Sequence, residues 1–140
     1  MDTITVEARS LLMSRIRGKD TLPERIVRSL VHRMGFRFRL HVDYLPGRPD
    51  LVFPSRGKVI FVHGCFWHAH ANCTHARLPK SNIDFWTNKL ESNRRRDRQV
   101  KRLLTRTGWR YLVVWECELG NLERISQELR AFLEDRHAGT

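Results

Sequence analysis

A thirteen-residue run, Phe61 to Cys73, limits what this chain can fold into more than any other part of it. It reads FVHGCFWHAHANC, with thiols at Cys65 and Cys73, imidazoles at His63, His68 and His70, and rings at Phe61, Phe66 and Trp67. No structural need of a small domain calls for that mixture. Thiols and imidazoles at short spacings suggest zinc, and Cys65-x4-His70-x2-Cys73 places three ligands within nine residues. The remaining cysteine, Cys117, directly follows the apolar segment Trp109–Glu116. Three thiolates and one imidazole would close a tetrahedron around a structural ion, leaving no position for water and pinning an irregular loop to a distant strand end. His68 and His75 compete with His70 for the fourth place, and spacing does not separate them.

At 140 residues the chain is long enough for one real core but not for two. Lys and Arg total 26 against 15 Asp and Glu, a net charge of +11 that favours a polyanionic partner. A membrane surface is the rival partner, but no apolar run approaches the roughly 20 residues of a span, and no basic amphipathic helix with an apolar face stands out. Met1-Asp2-Thr3-Ile4-Thr5 lacks the features of a signal peptide, and three cysteines argue against a secreted disulfide framework. Both expectations point to a reducing cytoplasm.

The periodicities predict one α/β domain over 20–140, preceded by a basic segment, 1–19, that reads as an arm. Thr21-Leu22-Pro23-Glu24 is a capping-box sequence opening a helix whose apolar face is Ile26, Val27, Leu30, Val31 and Met34, stopped by Gly35. Phe36, Phe38 and Leu40 alternate with Arg37, Arg39 and His41 as in a half-buried strand. Short strands are expected at Asp50–Phe53 and Lys58–Val62 around a Pro54–Gly57 turn. Asn82 should cap a long helix from Ile83, carrying Phe85, Trp86, Leu90, Val100, Leu103 and Leu104 and a basic stretch, Arg94–Arg98. Trp109–Trp115 reads as a strand buried on both faces. Asn121 should cap a last helix with Leu122, Ile125, Leu129, Phe132 and Leu133 on one side. The order is that of helices packed on a mixed sheet.

Asp50 follows Arg48-Pro49, so the chain is extended there and delivers one carboxylate to a strand start. Phosphodiester hydrolysis needs a divalent cation, and magnesium asks for only one or two protein oxygens. In nucleases with a Pro-Asp…Glu-x-Lys arrangement the next strand supplies an acid and a lysine; here Phe61 and His63 stand in those places. His63 and His68 flank this candidate metal site, where an imidazole can take a proton from water or bond a phosphate. His32, His41 and His137 read as structural. Phe66, Trp67 and Trp86 are candidate wedges for a base step.

Four blocks together resemble the very short patch repair DNA mismatch endonucleases: Met13–Thr21 (MSRIRGKDT), Leu45–Asp50 (LPGRPD), Val59–Cys73 with HGCFWHAH inside it, and Trp109 with WECEL after it. The resemblance runs from about residue 9 to residue 134. It implies a restriction-endonuclease-like fold with a structural zinc, and an enzyme that nicks DNA 5′ of a thymine mispaired with guanine after 5-methylcytosine deaminates. By similarity Asp50 and the Val62 carbonyl would hold Mg2+, His68 would be the general base, and His63 would contact the scissile phosphate. Cys65, His70, Cys73 and Cys117 would hold Zn2+. Phe66, Trp67 and Trp86 would form an aromatic wedge, while Met13 and Ile16 would approach from the minor groove. The implied partner is double-stranded DNA with a T:G mismatch, met by a nucleoid-associated monomer. Mismatch-repair proteins are further partners this family reading admits, though no residue identifies one. A family member carries threonine at the position of Val62, an exchange to which a carbonyl ligand is indifferent. Two other readings compete: a zinc-stabilised DNA-binding module without catalysis, which would not need Asp50 with His63 and His68, and a hydrolase using zinc catalytically, which four protein ligands would exclude.

Overall fold

The computed structural model describes residues 20–135, except the His75 side chain. The arm, with Met13 and Ile16, and His137 lie outside the described residues. Six principal elements follow in order: α1 (Leu22–Arg33), β1 (Leu51–Phe53), β2 (Lys58–His63), α2 (Ile83–Arg106), β3 (Arg110–Trp115) and α3 (Leu122–Glu134). The sheet is mixed, as expected, in the order β1-β2-β3. β1 runs antiparallel to β2 with Leu51 opposite Ile60, and β2 runs parallel to β3 with His63 opposite Trp115.

The two-residue period of the strands sorts the core into two layers. Leu51, Phe53, Ile60 and Val114 face α1 and α3, meeting Val27 and Val31 from the first and Ile125, Leu129 and Leu133 from the second. Val52, Val59 and Phe61 face the other way, against Leu104 and Val100 of α2 and against Val42 and Leu45 of the loop before β1. Helices thus cover both faces.

The helix starts follow their cap chemistry. Thr21 and Glu24 form the reciprocal box at α1: the Thr21 N–H donates to Glu24 Oε2 at 2.7 Å and the Glu24 N–H to Thr21 Oγ1 at 3.5 Å. Asn121 Oδ1 accepts from the Arg124 N–H at α3. Asn82 precedes α2 as expected but does not cap it through its side chain; it turns the chain instead, at φ +56°, a left-handed conformation that Asn tolerates.

Two strand expectations need correction. Phe36–Leu40 keeps its alternation, rings half-buried and arginines exposed, but pairs with β1 only at Arg39 and Val52, which exchange both backbone hydrogen bonds. His41, at φ +55°, bends the chain away before a ladder can grow. β3 is not buried on both faces: it is an outer strand of the sheet, and only Val114 is fully covered. The doubly buried strand is β2, in the centre, so its first residue, Lys58, is enclosed. Its ammonium finds partners in the last carbonyls of α3, donating to Phe132 O at 2.6 Å and to Asp135 O. Cations are favoured at a helix C-terminus, although burial pulls the Lys58 pKa below its usual range.

Candidate active site and metal centre

A cleft of about 630 Å³ opens between α1, the C-terminal end of β2 and α2. Asp50 enters it through a bend rather than the extended approach expected: Gly47 and Arg48 are both left-handed, Arg48 at φ +47°, and they bring the turn against α2. Gly47 sits at φ +75°, and a Cβ there would meet Val100 Cγ1 at 2.6 Å. β1 begins only at Leu51, opposite Ile60, so the edge of β2 beyond that point faces the Asp50 side chain rather than a strand. The Val62 N–H donates to Asp50 Oδ2 at 2.6 Å. The N–H and C=O of one strand residue point to the same side, so the Val62 carbonyl lies on the edge that carries Asp50.

Glu24 also lines this corner, and its carboxyl is close enough to hydrogen-bond that of Asp50. Burial and the neighbouring acid raise the Asp50 pKa well above the usual carboxylate range, against the lowering effect of the Val62 N–H. Two carboxyls in this position share a proton or a cation. The donors are hard oxygens with no thiol among them, a set that suits magnesium. Glu24 was legible only as a cap residue; its side chain does both tasks.

His63 and His68 stack face to face, ring centroids 3.7 Å apart at 4°. His63 is 7% exposed, and its Nδ1 has no hydrogen-bond partner among the described residues. Burial, then the adjacent His68, depress its pKa to about 3, so this imidazole is neutral at physiological pH. His68 Nδ1 lies 2.7 Å from Asp97 Oδ2, which leaves the other ring nitrogen, Nε2, for chemistry. Asp97 belongs to the basic stretch Arg94–Arg98, whose charges alone suggest a solvated helix face. The four arginines are exposed, but the lone acid turns inward.

The second cluster forms where the sheet ends. β2 and β3 end together at the pair His63 and Trp115, and Cys65 and Cys117, each two residues beyond its strand end, come together there. Left-handed turns at Ala69 and Asn72 fold the loop so that His70 and Cys73 join them. One ligand atom from each of the four lies within 4.8 Å of every other, and Cys117 Sγ is 3.5 Å from His70 Nδ1. For bonds of about 2.3 Å to sulfur and 2.0 Å to nitrogen, a tetrahedral edge is about 3.5 Å, so the donors fit one four-coordinate ion. His70 also stacks on Trp115 at 3.9 Å. Burial raises the pKa of the Cys65 and Cys117 thiols, so a bound cation would displace their protons. His68, the rival ligand, is engaged with Asp97 instead.

Phe66, Trp67 and Trp86 do come together, with ring centroids 5.2 to 5.8 Å apart. Trp67 is buried under the other two, and Phe85 rather than Trp86 is the exposed ring of its pair, at 60%. The loop carrying Trp67 is tied to α2 by Asn93 Nδ2, which donates to Trp67 O at 2.9 Å. On the opposite rim, His41, read as structural, lines the cleft. Among the described residues no helix is long and apolar enough to cross a membrane.

Known proteins resemble this chain over most of its length. The model of the DNA mismatch endonuclease Vsr family matches residues 1–75. A type II nicking enzyme of Xanthomonas oryzae pv. oryzae, V.XorIIP, is 51% identical over 133 residues, 95% of this chain and 97% of that protein. The DNA mismatch endonuclease Vsr of Escherichia coli is 42% identical over 120 residues, 86% of this chain and 76% of its own length. A nicking enzyme of Neisseria meningitidis serogroup A, V.NmeAIP, is 39% identical over 136 residues, covering 92% and 96%. The chain belongs to the Vsr family of DNA mismatch endonucleases and is a DNA endonuclease.

Proposed function

We propose that this endonuclease is magnesium-dependent and nicks one strand of duplex DNA 5′ of the thymine in a T:G mismatch left by 5-methylcytosine deamination. The observation that carries the reading is the convergence, in one cleft, of Asp50 with Glu24, the Val62 edge and the His63–His68 stack. Arg48, Lys89, Arg96 and Lys101 on the walls supply positive charge for a phosphodiester. Mg2+ held at Asp50 and the Val62 carbonyl would neutralise phosphate charge and lower the pKa of bound water. The chain's own residues do the rest. His68 accepts the proton of the attacking water at Nε2, and Asp97 fixes the tautomer that leaves that nitrogen free. Neutral His63 hydrogen-bonds the scissile phosphate. Zn2+ at Cys65, His70, Cys73 and Cys117 is structural, four protein ligands leaving no place for water.

In this reading residues 20–140 form one restriction-endonuclease-like domain, acting as a monomer, and residues 1–19 form an arm that brings Met13 and Ile16 to the minor groove. One active site per monomer gives a nick. The Phe66–Trp67–Trp86 cluster supplies mismatch selectivity, because a wobble pair is cheaper to unstack than a Watson–Crick pair. The names of the relatives, nicking enzymes and a mismatch endonuclease, support single-strand cleavage and mismatch recognition. The rival reading, a zinc-stabilised binding module, has no use for an imidazole held by a carboxylate in the cleft that carries the Asp50–Glu24 pair.

The test is a labelled duplex with one T:G pair in a cytosine-methylation site, incubated with protein and magnesium beside its matched control. A nick 5′ of the mismatched thymine is expected, and cutting of both duplexes alike would reject the specificity. Asp97→Asn separates positioning from binding. The expected result is a fall in kcat of about a hundredfold, between the typical loss when a residue that orients a functional group is replaced and the ~10⁴ of an Asn exchange in a hydrolytic triad, with KM nearly unchanged. Nitrogen-15 NMR of His68 should show the tautomer change; an unaltered tautomer with normal kcat would make the contact merely structural.

A further inference from the structure

Beside the carboxylate pair the cleft has a basic corner that the chemistry above does not use. Arg28 lies one helical turn after Glu24 on α1, so both side chains line the cleft. Its side chain is only 16% exposed, and its Nε is buried without a hydrogen-bond partner among the described residues. Its charge reaches Asp50, whose pKa it lowers. His41 lines the same corner from the loop before β1. Between the two sits a carboxylate. Asp20 Oδ1 accepts from Arg28 Nη1 at 2.6 Å and stands 3.6 Å from His41 Nε2. Asp20 is itself 54% exposed and holds a left-handed backbone at φ +61°.

An arginine more than four-fifths buried at the wall of a DNA-cleaving cleft, with a donor left over, is poorly explained by an exposed ion pair, which contributes little to stability. Guanidinium and imidazole N–H groups around one acidic oxygen are the chemistry of a phosphate site. We propose that Arg28 and His41 form a second phosphate subsite, for a backbone phosphate next to the scissile one, and that Asp20 occupies it when DNA is absent. The cleft also carries the carboxylates of Glu24, Asp43, Asp50 and Asp97, which repel a phosphate; Arg28 is the cation that must offset them at this corner. Binding of DNA then exchanges one anion for another at Arg28 and frees Asp20, the first described residue after the arm. This inference rests on the proposed function, since it needs duplex DNA in the cleft.

The experiment measures anisotropy of a fluorescein-labelled T:G duplex without magnesium, over a range of salt, for wild type, Arg28→Ala, Arg28→Lys and Asp20→Asn. Each phosphate contact contributes about 0.9 to the slope of log K against log salt. Arg28→Ala should lose about that much, and Arg28→Lys should retain most of it. Asp20→Asn, at an exposed position that does not threaten folding, should bind about two- to fivefold more tightly because the competing carboxylate is gone. An unchanged slope for Arg28→Ala, or parallel losses of affinity and Tm in Arg28→Ala and Asp20→Asn, would show a structural ion pair and overturn the subsite. Wild-type protein that does not bind the duplex would overturn the DNA reading itself, and the subsite with it.

Discussion

Asp50→Asn should abolish nicking while leaving the protein folded and able to bind a T:G duplex. Lewis-acid stabilisation of a phosphoryl centre is worth several kcal/mol, and each 1.36 kcal/mol is tenfold in rate, so the loss should be roughly a thousandfold or more. The fold should not suffer. The Asp50 carboxylate accepts from the Val62 N–H, and burial together with the neighbouring Glu24 raises its pKa. An amide at this position still accepts from Val62 and removes one of two neighbouring acids. The metal-free variant should therefore melt no lower than metal-free wild type. Magnesium should raise the Tm of wild type and not that of the variant, as expected for a ligand that binds only the folded state. Nicking retained at a tenth of the wild-type rate would take Asp50 out of the mechanism and shift the metal to Glu24.

Cys117→Ser should reduce bound zinc from one ion per chain to well below stoichiometric, and should lower stability at the same time. Structural zinc contributes folding energy directly. A loss of about 4 kcal/mol would lower the Tm by roughly 12 °C in a chain of this size. Nicking should fall as well, although Cys117 is far from any role in hydrolysis. Trp115 explains why: it stacks on His70 at 3.9 Å and meets His63 edge-on at 5.2 Å, so the metal loop and the active-site imidazole rest on one ring. Metal content by atomic absorption, thermal unfolding and nicking form the check, with Asp50→Asn as the control that keeps its zinc. A variant with full zinc and wild-type Tm would discard the four-ligand centre.

Local chemistry made much of this site legible. Asp50 stands out as the carboxylate before a strand, although the chain bends into it instead of running extended. Cys65 and Cys73 announce a metal by spacing that does not choose among His68, His70 and His75. Cys117 could be assigned only because no other cysteine was left; what places it is the parallel register of β2 and β3, a tertiary fact. The single bridge at Arg39 and the outer position of β3 are tertiary in the same way, since alternation and apolarity do not say how many neighbours a strand will have. Asp97 and Glu24 were missed for a different reason. Each had a sufficient local explanation, a basic solvated face and a capping box. Yet α2 turns Trp86, Leu90, Asn93, Asp97, Val100 and Leu104 inward, at spacings of four and three, while nearly every other residue of the helix is exposed. Two polar residues interrupting such a stripe are a signal in the sequence itself, because a buried polar side chain needs a partner. Leu103 and Phe85, counted on the apolar face, fall off that stripe and are exposed.

That stripe makes α2 a gauge. Trp86 and Asp97 are eleven residues apart on one unbroken helix, so about 16 Å separates the ring proposed to meet the bases from the carboxylate that contacts His68. Neither end can shift without the other following. On the proposed function, the interval between the place where a base pair is probed and the place where the strand is cut is set by the length of a stiff rod, not by the slack of a loop.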